Sequence, residues 1–237
     1  MKCIEELLLD KSLVSTYHHK LSEKNLIFYD TETTGILKDF SQILQCGSVL
    51  TDEGLNTLDE QNIGCAPLPW VIPQPMAMIT NKKIDLFKSN ISHYQMMKDL
   101  QMQWKQWSAE NPAIFITYNG HAFDEELVRR QFFWNLLEPY TTNTNGNGRL
   151  DLMLMIHNIA AFFSDEISMP LFEGGPGISY KLEHLAIEHG IDAGDAHDAI
   201  ADCNLMIEMC RIIKERLPEV FQSFINISTK PGVKELL

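Results

Sequence analysis

Short apolar runs, each bounded by polar or turn-forming residues, predict a sheet in the first half of the chain. The run 26–29 is typical of a buried strand. Two further strands are predicted over 43–51 and 56–63, and the turn residues 52–54 between them indicate an antiparallel meander. A fourth strand is predicted over 113–118.

Apolar residues at helical spacing predict helices in the remainder of the chain. Met96, Leu100, Trp104 and Trp107 form one apolar stripe, which predicts a core-facing helix over 92–107. Further helices are predicted over 123–137, 150–163, 180–189 (with Ser179 as its N-cap) and 198–216. Because strands come first and helices dominate later, we expect an α/β fold in which a mixed sheet is flanked by helices.

Proline, glycine and polar residues mark the connections. The segments 64–76 and 164–178 are predicted loops, and 141–148 is predicted to be a mobile surface loop. Pro218 is expected to end the last strong helix. We therefore predict a single domain over 25–225, preceded by an arm or helix over 1–24 and followed by a tail over 226–237.

Composition excludes several classes of protein. No apolar run approaches the roughly 20 residues of a membrane span. The five cysteines lack a C-x-x-C pair, which indicates reduced thiols and a cytoplasmic location. The net charge of -13 argues against binding nucleic acid by electrostatics alone, but it is compatible with an enzyme that holds phosphates through metal ions.

Two carboxylates follow the first predicted strand. Side chains at i and i+2 of an extended chain share a face, so Asp30 and Glu32 are expected to point the same way, with Thr31 on the other side. Such a pair also occurs as a solvated strand end. Two like charges held close together favour a divalent cation between them.

Further candidate residues lie at two predicted helix starts. Asp124 and Asp198 each suit a helix N-terminus, and a capping role alone would be enough to explain either residue. Asp202 lies among small apolar residues, and this environment indicates partial burial and the need for a cation or a hydrogen-bond partner. His197 precedes the helix, where it could act as a base or merely cap a loop.

Five of these residues resemble, in this order, the four acidic residues and the histidine of the DEDD exonuclease superfamily: Asp30, Glu32, Asp124, His197 and Asp202. Longer segments are similar to the nuclease domain of bacterial exodeoxyribonuclease I. They are 28–35, 117–126, 149–152, 179–186, and 190–191 followed by 196–202. The resemblance implies a ribonuclease H-like fold and removal of single nucleotides as 5′-monophosphates from the 3′ end of single-stranded DNA, in the context of DNA repair.

The resemblance also implies roles for individual residues. Two Mg²⁺ or Mn²⁺ ions would be held by Asp30, Glu32, Asp124 and Asp202, and His197 would be the general base. The residues that would line or support the pocket of the terminal nucleotide are Thr33, Thr34, Gly35, Met78, Ile79, Asn119 and Phe123.

Two alternatives remain open from the sequence. The same chemistry could act on RNA or short oligonucleotides. A nuclease-like scaffold could instead bind nucleic acid or a partner without cutting it, and loss of one of the five residues would be its expected mark.

Overall fold

A computed structural model describes residues 24–193 and 198–237, and its centre is a five-stranded sheet. The strands are β1 (Asn25–Thr33), β2 (Ile43–Thr51), β3 (Thr57–Gly64), β4 (Ala113–Thr117) and β5 (Gly148–Asp151). Their order is β3-β2-β1-β4-β5. The pairs β1–β2 and β2–β3 are antiparallel, whereas β1–β4 and β4–β5 are parallel. The predicted mixed sheet and its meander are confirmed.

Helices cover both faces of this sheet. They are α1 (Pro75–Asn81), α2 (His93–Trp107), α3 (Asp124–Trp134), α4 (Leu152–Phe162), α5 (Leu182–Glu188), α6 (Ala199–Arg216), α7 (Pro218–Ile227) and α8 (Lys230–Leu236). Two 3₁₀ helices span Lys83–Lys88 and Thr141–Asn143. In the described ranges no helix is long and apolar enough to cross a membrane.

Alternation along β1 divides the core into two layers. Leu26 and Phe28 pack in the layer built by α4, α6 and α7. Ile27 and Tyr29 face the opposite layer, built by α2 and α3. Since side chains alternate along a strand, this division places the even-numbered residues that follow on the α6 side and Thr31 on the α3 side.

The first strand is longer than its apolar run predicts. Asp30 and Glu32 lie within β1, paired with Gly47 and Gln45 of β2, and the register shifts only between Glu32 and Thr33. Polar residues continue the strand because the pairing with β2 runs on to Thr33, whereas the pairing with β4 ends at Phe28.

Gly47 lets α6 approach the sheet closely. A Cβ atom at this position would lie 2.6 Å from the backbone carbon of Ala199, at the start of α6. The Cys203 thiol donates to the Gly47 carbonyl at 3.5 Å. Contact between backbones therefore fixes the height of the helix above β2.

The structure corrects the prediction for 141–163. The segment 141–148 is not a mobile surface loop, since Thr141 and Thr142 are buried in a 3₁₀ helix. The predicted helix over 150–163 also begins later, because Gly148–Asp151 forms the edge strand β5 and the Asp151 carboxylate caps α4. A strand of four residues is too short to give a clear period in the sequence.

Three helix boundaries also differ from expectation. Part of the predicted loop 64–76 belongs to α1, in which Pro75 occupies the first turn. The helix α6 ends at Arg216, just before Pro218 as expected, but Pro218 also begins α7, and α8 follows within the predicted tail. Ser179 is buried and contacts Nδ1 of His184 at 2.7 Å; it is not the cap of α5, whose N-cap is Lys181.

Four of the five cysteines lie in the described residues, where they are free and buried, as expected of thiols. Cys3 and most of the predicted arm over 1–24 lie outside the described residues.

Candidate metal centre

Three of the expected carboxylates meet on one face of β1. Oxygen atoms of Asp30, Glu32 and Asp202 all lie within 4.8 Å of one another. Asp30 and Glu32 come from alternate positions of β1, and Asp202 comes from the first turn of α6. The shared face predicted for Asp30 and Glu32 places both beneath the helix that carries Asp202.

The fourth carboxylate comes from the other layer. Asp124 is buried in the first turn of α3, where the hydroxyl of Thr31 donates to its Oδ1. It does not belong to the set of oxygens within 4.8 Å. Because Thr31 lies between Asp30 and Glu32 on β1, this hydrogen bond places Asp124 at the border of the same site.

The remaining candidate, His197, lies outside the described residues. It directly precedes Asp198, which is the N-cap of α6 and accepts a hydrogen bond from the backbone of Ile200. The capping role suggested for Asp198 by the sequence is therefore confirmed.

Burial and mutual repulsion work against ionisation of this cluster. Burial raises the pKa of Asp30 well above its usual value, and the charges of Asp124, Asp202 and Glu32 add to the rise. Burial also raises the pKa of Glu32 to about 8, while the charge of Lys83 opposes that rise.

Asp124 is affected in the same direction. Burial raises the pKa of Asp124 to about 6, and the hydrogen bond from Thr31 works in the opposite direction. Without a cation, a carboxylate with a pKa of about 8, such as that of Glu32, retains its proton at neutral pH. A set of carboxylate oxygens is what Mg²⁺ and Mn²⁺ prefer, so the residues present fit a hard divalent cation.

Gln45 lies beside the cluster because it pairs directly with Glu32 across the sheet. Its side chain is buried, and its Nε2 donates to Oδ1 of Asn62 at 2.8 Å. Its Oε1 has no hydrogen-bond partner among the described residues. A buried polar atom of this kind needs a partner such as water or a bound ion.

A lysine also stands at this site. Lys83 Nζ lies 2.7 Å from Oδ2 of Asp198, and its side chain is only 17% exposed. Burial alone would raise the pKa of Asp198, but the hydrogen bond and charge of Lys83 hold it below its usual value. Sequence reasoning missed Lys83 because no periodic pattern or motif distinguishes it from the exposed Lys82 beside it.

The expected substrate residues after β1 form a turn. Thr33 Oγ1 donates to the Gly35 carbonyl at 2.8 Å, and Thr34 Oγ1 accepts from the backbone N–H of Gln42. The backbone N–H of Gln74 donates to the Thr34 carbonyl at 2.7 Å. Both threonine side chains and the carbonyls of this turn are thus occupied in holding it.

The other expected substrate residues occupy two places. On α1, Met78 is half-buried, whereas Ile79 is 67% exposed and available for an apolar contact. Asn119 is exposed with a φ of 58°, and Phe123 packs against the core layer of α2 and α3. Phe123 is therefore placed to support the start of α3.

Asp151 organises the loop before Asp124. Its carboxylate accepts from the backbone N–H groups of Asn119 at 2.8 Å and His121 at 3.2 Å, while it also caps α4. Asp151 is buried, and it belongs to the segment 149–152 that is similar to exodeoxyribonuclease I. The pattern of residues gave no sign that β5 would place it beside this loop.

The mixed sheet, its two helical layers and the carboxylates of β1 define a ribonuclease H-like nuclease fold. The exodeoxyribonuclease I of Buchnera aphidicola subsp. Schizaphis graminum is 29% identical over 222 residues, which cover 92% of this chain and 45% of that relative. The similarity to exodeoxyribonuclease I inferred from the motifs is confirmed.

Comparison with solved structures also finds similarity to Exonuclease I. The crystal structure of E. coli Exonuclease I in complex with a dA16 oligonucleotide matches with a TM-score of 0.82 and 25% identity over 90% of this chain and 46% of that chain. The moderately thermophilic Exonuclease I from Methylocaldum szegediense matches with a TM-score of 0.80 and 28% identity, over 90% of this chain and 45% of that one. No protein-family model matches the chain. The chain spans less than half the length of these relatives.

Proposed function

We propose that this chain is the catalytic domain of a metal-dependent 3′-5′ exonuclease that hydrolyses single-stranded DNA to nucleoside 5′-monophosphates. The observation that carries the proposal is the convergence of Asp30, Glu32 and Asp202 within 4.8 Å. This convergence occurs in a fold that matches Exonuclease I bound to an oligonucleotide.

Asp30, Glu32 and Asp202, with Asp124 at their border, would hold two Mg²⁺ or Mn²⁺ ions. When bound, such ions supply Lewis-acid stabilisation of the charge that develops on the phosphate. The four carboxylates compensate the positive charge and fix where a phosphate can lie. The raised pKa values of Asp30 and Glu32 fit this role, since a bound cation takes the place of the protons that they would otherwise retain.

His197 would accept the proton of the attacking water at an imidazole nitrogen. The water oxygen bonds to phosphorus, and the bond from phosphorus to the 3′ oxygen of the preceding nucleotide breaks. That oxygen takes a proton from solvent and leaves as the new 3′ hydroxyl. An imidazole suits the base because its ordinary pKa lies close to neutral pH.

The turn Thr33–Gly35 and α1 would bind the terminal nucleotide. The turn would border the nucleotide without selecting a base, and Met78 and Ile79 would provide an apolar surface for stacking. Asn119 and Phe123 would border the pocket beside Asp124. Contacts of this kind are tolerant of sequence, in keeping with an exonuclease that removes every nucleotide.

Three related expectations complete the proposal. The domain is assigned to 25–225, although this boundary falls within α7. With a net charge of -13, the chain by itself is expected to bind long strands weakly and to act with low processivity. A role in DNA repair and a cytoplasmic location remain predictions.

The test is degradation of a 5′-labelled single-stranded DNA and its RNA equivalent, with Mg²⁺ or with a chelator. We expect a metal-dependent ladder that shortens from the 3′ end of DNA. Asp202→Ala is expected to abolish this ladder. Asp165→Ala is the matched control, because it removes an exposed carboxylate that is not part of the cluster.

Faster cleavage of RNA than of DNA would mean that the protein is an exoribonuclease that uses the same chemistry. Binding of either strand without cleavage, in Mg²⁺ and in Mn²⁺, would leave the non-catalytic scaffold as the correct account.

A further inference from the structure

The ion pair between Lys83 and Asp198 joins the segment after α1 to the start of α6, the helix that carries Asp202. Lys83 begins the 3₁₀ helix that follows α1, and Asp198 is the N-cap of α6. Their side chains meet at 2.7 Å, with exposures of 17% and 35%. Gln45 adds a longer contact from β2, since its Nε2 lies 3.5 Å from the same oxygen of Asp198.

The segment 81–83 is also tied to β1. The buried side chain of Asn81 donates through Nδ2 to the Thr33 carbonyl at 2.9 Å. Its Oδ1 accepts from the backbone N–H of Lys83 at 3.2 Å. Lys83 is therefore fixed at its backbone to the end of β1 and at its side chain to the start of α6.

The position of α6 relative to β1 decides whether the cluster can form. Asp30 and Glu32 belong to β1, whereas Asp202 lies one turn beyond Asp198 on α6. A displacement of the helix start would move Asp202 away from the other two carboxylates. Groups that hold metal ligands in place commonly control metal affinity without touching the ion.

We propose that Lys83 is a positioning residue that holds the start of α6, and with it Asp202, against the carboxylates of β1 through its ion pair with Asp198. The inference rests on the proposed function in treating the cluster as a metal site. It assigns no contact between Lys83 and substrate.

A simple electrostatic role of Lys83 makes the opposite prediction for one of two variants. If Lys83 acted only as a nearby positive charge, Lys83→Met would tighten cation binding and Asp198→Asn would weaken it. If the pair positions α6, both substitutions weaken cation binding. The double variant then binds the cation as tightly as the single variant of lower affinity, because each substitution removes the same ion pair.

The experiment is titration of Mn²⁺ followed by electron paramagnetic resonance, which counts bound ions without requiring cleavage. We expect about a 10-fold loss of Mn²⁺ affinity in Lys83→Met, in Asp198→Asn and in the double variant. Asparagine is itself a good N-cap, so Asp198→Asn removes the ion pair while α6 keeps its cap. Lys83→Arg, which keeps the charge, is expected to restore most of the affinity.

Lys82→Met is the matched control, because Lys82 is the exposed neighbour in the sequence. Circular dichroism melts establish that each variant is folded, and Lys83→Gln, which also removes the charge, takes the place of Lys83→Met if that variant does not fold. Tighter Mn²⁺ binding by Lys83→Met, or unchanged affinity in a folded Asp198→Asn, would overturn the proposal.

The outcome is separable from that of the proposed function. A wild-type chain that binds Mn²⁺ but cleaves neither DNA nor RNA would refute the exonuclease and still allow the positioning role to be measured. A wild-type chain that binds no Mn²⁺ would refute both.

Discussion

Thr31 donates its hydroxyl to the carboxylate of Asp124 from the side of β1 opposite to Asp30 and Glu32. Side chains on both faces of β1 therefore contribute to the site. Its even-numbered residues supply two carboxylates, and the odd residue between them holds a third that comes from α3. The position of Asp124 is set by the layer beneath the sheet.

Thr31→Val tests this link with a side chain of nearly the same shape. The hydrogen bond lowers the pKa of Asp124, so its loss should raise that pKa further above about 6. We expect a loss of stability of about 1 kcal/mol. Exonuclease activity should require a higher pH, and the pH profile of the initial rate measures that shift. An acid limb at the same pH in both proteins would contradict this prediction.

Gly47→Ala tests the close approach of α6 to the sheet. The new methyl group would lie 2.6 Å from the backbone of Ala199, which cannot move without carrying the start of α6 with it. We expect a destabilisation of about 1–3 kcal/mol, measured by urea unfolding, together with weaker Mn²⁺ binding. Gly175→Ala is the control, since a Cβ there meets nothing within 4 Å. Equal effects of the two substitutions would count against this packing argument.

The metal-free protein is expected to lose stability as the pH rises. The pKa of Glu32 is about 8 in the folded chain against an ordinary 4.5, so between these values the folded state binds more protons than the unfolded state. The free energy of unfolding contributed by Glu32 therefore falls through this window, by an amount on the order of 3 kcal/mol.

Melting temperatures in a chelator at pH 5 and pH 8 measure this dependence. Glu32→Gln, which does not titrate, should show a smaller fall than the wild-type chain, and Mg²⁺ should stabilise the wild type more at pH 8 than at pH 5. The same fall in both proteins would mean that Glu32 ionises normally in the folded state.

Glu125 is expected to matter for stability more than its neighbour Glu126. Glu125 is buried and accepts from the hydroxyl of Tyr29 at 2.7 Å and from Arg149 at 2.8 Å. Thr142 donates to it as well. Glu125→Ala leaves these donors without their acceptor and should cost about 2–3 kcal/mol.

Glu126→Ala provides the comparison for the same helix. Glu126 pairs with Arg129 and Arg130 one turn along the surface of α3, and such exposed pairs contribute at most about 1 kcal/mol. Thermal unfolding of the two variants measures the difference. A smaller loss for Glu125→Ala than for Glu126→Ala would show that the buried network is not stabilising.

Local patterns in the sequence predicted the parts of the fold that depend on neighbouring residues. Alternation along β1 gave the shared face of Asp30 and Glu32, and the helical stripe gave α2 almost to the residue. Asp202 was identified because a carboxylate among small apolar residues requires compensation. These inferences succeed because the periods of strands and helices are properties of the local chain.

The remaining features depend on contacts between distant segments. The sequence around Lys83 does not indicate its ion pair with Asp198. The sequence around Thr142 predicts a loop, whereas Thr142 is buried beside Glu125, to which it donates a hydrogen bond. The placement of Asp124 in a separate layer also requires knowledge of how α3 packs. Short elements such as β5 leave no measurable period and are visible only once their partner strand is known.

The register shift after Glu32 has a consequence for how the chain acquires its site. The shift ends the regular alternation, so β1 can contribute only two carboxylates to this face, and the third has to arrive on α6 from near the other end of the described chain. Contacts between segments so far apart in sequence slow folding, because a long loop has to close before they form. Because Asp202 lies on α6, the three carboxylates come together only when α6 is docked on the sheet, so cation binding reports on the completed fold.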